Sequence, residues 1–354
     1  METKTQQNYF RKNIDKMNGY VPGEQPQDGQ YIKLNTNENP YPPSQKVIAA
    51  LKDEVSEKLR LYPDPGATSA REKVAEVFGT RPERVMIGNG SDELLTIIIR
   101  SFVGEGKKVV YPYPSYLLYK TLSEIQDAEE CVIDFLEDYT LPGEVVVEGA
   151  AVTFICNPNS PSGTMIPVDE VSGVAGKIEG IVVVDEAYVD FADDNCMRLV
   201  DKHPNLIVLR TLSKSYSLAG MRLGFAVAHE SLINGMMKVK DSYNVDRLSM
   251  ASAVAALGDQ ETFRENVARI KKTRGRLIDS LKKLGFFVYP SQANFVMIRC
   301  RNADKAREIY QELRKRKILT RYFEQPRLDD CLRITVGTDE EIDALLDNLA
   351  EIRT

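Results

Sequence analysis

The sequence predicts an α/β fold, with a mostly parallel central sheet between helices, followed by a smaller α+β domain. Three observations carry that expectation. Short apolar runs alternate with helical patterns between Ser44 and Leu257. The runs are apolar on both faces, as strands covered by helices on either side must be. Past Asp259 the pattern changes to one long charged amphipathic segment with a mixed tail of strands and helices. At 354 residues the chain exceeds one ordinary core and suits about two domains.

The first forty residues contain Gly19, Pro22, Gly23, Pro26 and Pro40, with Pro42 and Pro43 just beyond, too many breakers for a packed unit. Residues 1–43 are therefore read as an arm that drapes over a domain interface and joins the small domain. Helices are expected over 44–60, 67–78 and 91–103. The last opens with Ser91, Asp92 and Glu93, which suit the positive end of a helix. Strands are expected over 109–111, 151–156, 181–184, 206–209 and 223–228, all in one sheet, which completes a large domain of residues 44–258. The amphipathic pattern from Asp259 runs to Leu284 and stops at Gly285, a C-cap. Strands over 286–289, 293–299 and 332–336 and helices over 303–317 and 339–352 then make the small domain, residues 259–354.

Composition narrows the chemistry. With 43% apolar and 28% charged residues the chain is ordinary globular material rather than disordered or repetitive. A formal charge of -6 supplies no overall field for nucleic acid or an anionic membrane, so small-molecule partners are expected. Cys131, Cys156, Cys196, Cys300 and Cys331 are scattered and never spaced C-x-x-C, which argues against a disulfide framework or a zinc site and for reducing cytoplasm. No run approaches the length of a membrane span, and residues 1–16 lack the apolar middle of a signal peptide. His203 and His229 are the only histidines, so a histidine base or a multi-histidine metal site is poorly supplied; no metal is expected.

Three segments carry candidate chemistry. Thr211, Leu212, Ser213, Lys214, Ser215, Tyr216 and onward to Arg222 follow a buried strand, near the sheet end where open α/β sheets bind ligands. Lys214 there can form a Schiff base with an aldehyde cofactor, and Arg222 can reach an anion; the bland alternative is a solvated loop lysine beside a structural arginine. Asp185 directly follows a β-branched run, where its carboxylate could keep a ring nitrogen protonated while Tyr188 donates to a ring oxygen. Its alternatives are a capping aspartate or a magnesium ligand, and no phosphate-loop motif accompanies the latter. Gly88, Asn89, Gly90, Ser91 and Asp92 precede a helix and resemble a phosphate cradle, though such a turn is more often plain. Tyr116 could lay its ring on a flat heterocycle or be simple core.

Together these segments resemble the fold type I pyridoxal-phosphate enzymes, and specifically the histidinol-phosphate aminotransferase family, over nearly the whole chain. The resemblance rests on Tyr20, Val21, Pro22, Gly23; Leu34, Asn35, Thr36, Asn37, Glu38, Asn39, Pro40; Tyr62, Pro63, Asp64; Gly90 to Glu93; Asp185 to Tyr188; Ser213 to Arg222; and Arg333 to Thr338. It implies pyridoxal 5'-phosphate on Lys214, with Asp185 against the pyridine nitrogen, Tyr188 at the ring hydroxyl and Tyr116 stacked on the ring. It implies a phosphate cup of Gly90, Ser91, Asp92, Thr211, Ser213 and Arg222, and a homodimer in which Tyr62 reaches the neighbouring subunit's cofactor. Arg333 matches the fork for a substrate carboxylate, and Arg321 and Tyr20 match positions that hold the phosphate of histidinol phosphate, with Asn37 also at the substrate. The family stretch N-P-N-N-P-T-G reads Asn157, Pro158, Asn159, Ser160, Pro161, Ser162, Gly163 here. Its ring-oxygen asparagine falls on Ser160, whose hydroxyl substitutes unless Asn157 or Asn159 moves in.

The activity so implied is amino transfer between histidinol phosphate and 2-oxoglutarate, the latter paired with glutamate, in histidine biosynthesis. After exchange of the substrate amine for the lysine, the freed Lys214 would act as the base. A threonine-phosphate decarboxylase of the same fold and an aromatic amino acid aminotransferase are the alternatives. A cofactor-bound regulator without catalysis should have lost the lysine or the aspartate, and both are present.

Overall fold

The computed structural model describes residues 8–20, 22–26 and 31–353; Val21 of the motif quoted above and parts of the 1–43 arm lie outside these. The first elements are α1 (Lys12–Lys16), β1 (Ile32–Lys33), α2 (Gln45–Glu54), α3 (Thr68–Phe78), β2 (Val85–Asn89), α4 (Ser91–Phe102), β3 (Lys108–Tyr113) and α5 (Leu118–Gln126). There follow β4 (Glu129–Asp134), β5 (Ala150–Cys156), α6 (Val168–Ala175), β6 (Ile181–Asp185), β7 (Leu206–Thr211), β8 (Leu223–Ala228), α7 (Glu230–Met236) and α8 (Arg247–Leu257). The chain ends with α9 (Gln260–Lys283), β9 (Phe287–Val288), β10 (Phe295–Arg299), α10 (Ala303–Lys315), β11 (Ile318–Leu319), β12 (Arg321–Tyr322), β13 (Cys331–Thr335) and α11 (Asp339–Arg353).

All five expected strands lie in one seven-stranded sheet, ordered β2-β8-β7-β6-β5-β3-β4. The pairs from β4 across to β7 are parallel; β8 runs antiparallel to both β7 and β2. Two members of the sheet go beyond the sequence expectation. β2 is a short apolar run hidden by the glycine turn directly after it, and β4 is an edge strand whose residues are half-buried or exposed.

Successive side chains of a strand point to opposite faces, and here that alternation sorts the chemistry. Val183, Leu209, Ala226 and Phe154 pack on one face against Leu94, Leu95 and Tyr119 of α4 and α5. Val182, Val184, Val208 and Phe225 pack on the other, against the α3, α6 and α8 side. Asp185 falls in step with Val183 and faces α5, whereas Glu186 and Arg210 fall on the opposite side.

The helix expected over 44–60 is shorter. Ser44 caps α2 by accepting from the Val47 amide, but Val55 is extended at φ -70° and ψ 93°, and a separate 3-10 turn over 57–60 is capped by Ser56. Val47 is the only buried residue of α2, so a continued helix would have carried Val55 and Leu59 onto no packing partner; both stay exposed. At α9 the expected stop holds: Gly285 sits at φ +78°, its N–H donates to Lys282 O at 2.8 Å, and Phe286 N–H donates to Leu281 O at 3.1 Å.

After α9 a four-stranded antiparallel sheet, β12-β13-β10-β9, forms its own apolar cluster with α9, α10 and α11. The arm joins it, since β1 pairs in parallel with β11 and Leu34 is part of that cluster.

One glycine sets how closely α4 approaches the main sheet. A Cβ on Gly224 of β8 would stand 2.5 Å from Ser91 N and 3.0 Å from Arg210 O, backbone atoms that cannot swing aside. Gly224→Ala is expected to cost about 1–3 kcal/mol by overpacking, measured as a lower urea midpoint at unchanged slope. An unchanged midpoint would show that the start of α4 can retreat without loss.

Candidate active site

A cavity of about 330 Å³ opens where the carboxyl ends of β5, β6 and β7 meet the arm and the small sheet. Lys214 stands in the loop after β7. Its Nζ donates to Thr36 O at 3.2 Å and lies 5.7 Å from the Tyr188 ring centre. Burial first, and the Arg333 charge second, lower its pKa to about 8. Asn39 of the arm holds the loop by donating to the Lys214 and Ser215 carbonyls at 3.0 and 3.1 Å.

Asp185 ends β6. Its Oδ2 accepts from the Tyr119 hydroxyl at 2.8 Å and its Oδ1 from the Ala187 amide at 3.2 Å. Burial raises its pKa to about 6, against the pull of those two donors. Tyr188, whose pKa burial raises to about 12, accepts from Asn37 Nδ2 at 3.0 Å. Asn37 takes a left-handed φ of 56° and is secured from three sides: its amide donates to Thr335 Oγ1, Thr335 donates back to its Oδ1, and Asn294 donates to its carbonyl. The Tyr116 hydroxyl donates to Asp92 at 3.1 Å, and the Tyr20 ring meets Tyr116 edge-on at 6.1 Å.

An anion cup lies beside them. Gly90, at φ +81°, turns the chain into α4, whose first residues Ser91 and Asp92 line the cavity and carry first-turn amides with no acceptor within the helix. Arg222 Nη2 sits 3.2 Å from the Asp92 carboxylate, and a Cβ on Gly90 would stand 2.6 Å from that same nitrogen. Gly90 is thus the space Arg222 occupies. Thr211 donates to Leu223 O at 3.1 Å and accepts from Ser213 N–H, which fixes the rim.

Arg321 and Arg333 are cross-strand partners on β12 and β13, and both line the cavity. They share the Phe323 ring, with guanidinium carbons 5.3 and 5.6 Å from its centre, while Phe295 supports Arg333 from behind at 5.1 Å. Arg333 donates to Asn35 O at 3.0 Å and to Ser160 Oγ at 3.2 Å; its buried Nε has no partner.

Of the three residues weighed for the ring oxygen, Ser160 alone lines the cavity. Asn157, expected at the cofactor, points elsewhere: its amide donates to Ile166 O at 3.0 Å and accepts from Ile166 N at 2.8 Å, so both ends are consumed in bracing the loop. Asn159 donates to Pro114 O and Ser162 Oγ. Tyr62 is away from this cavity, 78% exposed and stacked on Tyr243 at 4.4 Å. Among the described residues no acidic, histidine or cysteine cluster is arranged to hold a metal ion.

The sequence reading passed over Tyr119, which touches Asp185, and a brace on the far face of the sheet. There Arg210 pairs with Glu186 at 2.9 Å and Asp190 at 3.4 Å, and Asp190 accepts from Ser215 at 2.5 Å. Tyr119 lies one turn after Tyr116, at the start of α5, and its amide donates to Tyr116 O at 3.2 Å.

Fold and site together define an aminotransferase of fold type I: an α/β sheet with a half-buried lysine, a buried carboxylate and a helix start beside an arginine around one cavity. The profile of the aminotransferase class I and II family matches residues 29–349, and the chain belongs to that family. It is 50% identical over 347 residues to histidinol-phosphate aminotransferase 1 of Nostoc sp., covering 98% of each chain. It is 48% identical over 344 residues to the histidinol-phosphate aminotransferase of Geotalea uraniireducens, covering 97% of this chain and 99% of that one. The crystal structure of histidinol-phosphate aminotransferase from Sinorhizobium meliloti in complex with pyridoxal-5'-phosphate superposes with a TM-score of 0.90 at 25% identity, over 99% of both chains.

The depressed Lys214 pKa has a direct consequence. The neutral amine is the nucleophile, so trapping of a small aldehyde on Lys214 by borohydride in the cofactor-free chain should rise about tenfold per pH unit and level off above about 8. A rise that continues towards the ordinary lysine value of about 10.4 would contradict it.

Proposed function

We propose that the protein is a histidinol-phosphate aminotransferase that uses pyridoxal phosphate. The observation that carries the substrate reading is the pair Arg321 and Arg333. Like charges directly across a strand pair repel, a cost that an anion between them turns into binding energy. A phosphorylated amine and a dicarboxylic amino donor both present such an anion, so one arrangement suits both halves of the reaction.

The cavity fits the cofactor. The amides of Ser91 and Asp92, with Arg222 in the space left by Gly90, would hold its phosphate, Asp185 its ring nitrogen, Tyr188 and Ser160 its ring oxygen, and Lys214 its aldehyde carbon. When bound, pyridoxal phosphate supplies an aldehyde that takes up the amino group and a ring that withdraws the electrons left on the substrate carbon. Lys214, with a pKa near 8, both releases and regains a proton near neutral pH and is the base at that carbon. Tyr116 walls one side of the ring position, and Tyr20 closes over it from the arm.

We read residues 1–43, 44–258 and 259–354 as arm, large domain and small domain. A homodimer is supported by exposed Tyr62 and its exposed apolar neighbours Val55, Leu59 and Leu61. Five unpaired cysteines suit the cytoplasm, and among the described residues no helix is long and apolar enough to cross a membrane.

Lys214→Ala is expected to abolish steady-state transfer of the amino group from histidinol phosphate to 2-oxoglutarate; normal turnover would refute the assignment. Arg321→Ala should raise KM for histidinol phosphate by about tenfold or more while changing KM for an uncharged aromatic amine little. Equal effects on both would remove Arg321 from phosphate binding, and carbon dioxide release in place of amino transfer would point to the decarboxylase.

A further inference from the structure

Among the described residues Tyr119 is the one side chain that donates to the Asp185 carboxylate, and it is built to stay where it is. The residue is fully buried in α5. Its ring lies parallel on Phe154 at 4.6 Å and 3°, with Tyr116 against it edge-on at 5.7 Å and Tyr111 tilted at 6.2 Å. A buried phenol costs free energy unless its hydroxyl is bonded, and most are bonded to a backbone carbonyl or to water; this one is spent on a carboxylate.

Besides the Tyr116 and Tyr188 phenols, charged and titratable groups press on the pair from several elements. Cys156 of β5 lies beside both, Asp92 of α4 adds a repulsive charge at Asp185, Glu186 adds another from the same strand end, and Tyr119 faces from α5. Burial, then the Asp185 charge, push the Tyr119 phenol far above the ordinary tyrosine range, so it remains a donor at every pH the protein meets. Desolvation and two neighbouring acids favour protonation of Asp185, and only Tyr119 and the Ala187 amide oppose it.

We propose that Tyr119 is the positioning residue for Asp185, holding its carboxylate ionised and turned so that a lone pair faces the ring nitrogen of the cofactor. This rests on the reading of Asp185 as ring-nitrogen partner. Without the hydroxyl, Asp185 becomes more basic and draws the shared proton from the ring towards itself. The ring then withdraws electrons less well, and a proton on the group bound to Lys214 is held to higher pH.

The test uses holoenzyme of Tyr119→Phe, which keeps the ring and its stacking on Phe154. The pH midpoint of the absorbance change of the bound cofactor is expected to rise by about half to one unit. The kcat should fall about three- to tenfold while KM for histidinol phosphate stays within about twofold. Combined with Asp185→Asn, the same substitution should no longer move the midpoint, because the group it acts through no longer titrates. An unmoved midpoint in Tyr119→Phe, or an equal shift in the Asp185→Asn background, would reduce Tyr119 to packing and overturn the proposal. Full cofactor affinity and an unaltered midpoint in Asp185→Asn alone would instead overturn the reading of Asp185, and the role of Tyr119 with it.

Discussion

The site depends on keeping a buried amine and a buried carboxylate in one cavity without letting them pair. Had Lys214 and Asp185 met, each would have neutralised the other, and the pKa of the lysine would have risen rather than fallen. Instead Lys214 is engaged by Thr36 O from the arm, and Asp185 by Tyr119 of α5 and the Ala187 amide just beyond β6. Both side chains line the one cavity. Their separation also fits the opposite directions of their shifts: desolvation, the largest cause at each, disfavours charge on both, and with like charges nearby it lowers the amine to about 8 and raises the acid to about 6.

Holding two such groups apart requires rigidity behind them, and strand alternation supplies it. Asp185 and Thr211 face the ligand side, so their neighbours Glu186 and Arg210 must face the other. There Arg210, Glu186 and Asp190 form a buried ion cluster that reaches Ser215, the residue after Lys214. Buried charges are costly unless satisfied, and this cluster is: Glu186 also accepts from the Cys196 amide at 2.5 Å, and Arg210 lies over the Phe78 ring. The strand end carrying Asp185 and the loop carrying Lys214 are therefore tied to each other through the far face of the sheet.

Much of this was legible in the residues because the chemistry sits at the ends of strands whose apolar runs are easy to see. Lys214 and Asp185 could be placed from the apolar runs that precede them, and the glycine turn from the helix that follows it. Elements without a strong period were not: β2 is masked by Gly88 and Gly90, β4 is an edge strand, and the α2 pattern runs on past Glu54 with nothing for Val55 and Leu59 to pack on. The cross-strand facing of Arg321 and Arg333 depends on the register of β12, only two residues long, which no local pattern reveals. Asn157 shows the converse failure. A motif position says where a residue lies in the chain, while the hydrogen bonds to Ile166 that consume its amide depend on a loop closing back nine residues later.

The charge balance of the cavity sets it apart from the chain that encloses it. The protein carries a formal -6, yet Lys214, Arg222, Arg321 and Arg333 line the cavity against Glu38, Asp92 and Asp185. Glu38 pairs with Lys33 at 2.5 Å and Asp92 with Arg222 at 3.2 Å. Low-dielectric walls keep that excess from being screened, so it acts on what enters rather than on the solvent. Under the proposed function, a phosphate on the cofactor and a second anion on the substrate would meet separate positive groups of one cavity, Arg222 at the helix and Arg321 with Arg333 at the small sheet. On that reading, two separate anion positions in one cavity would favour a substrate that carries its anion away from the reacting amine.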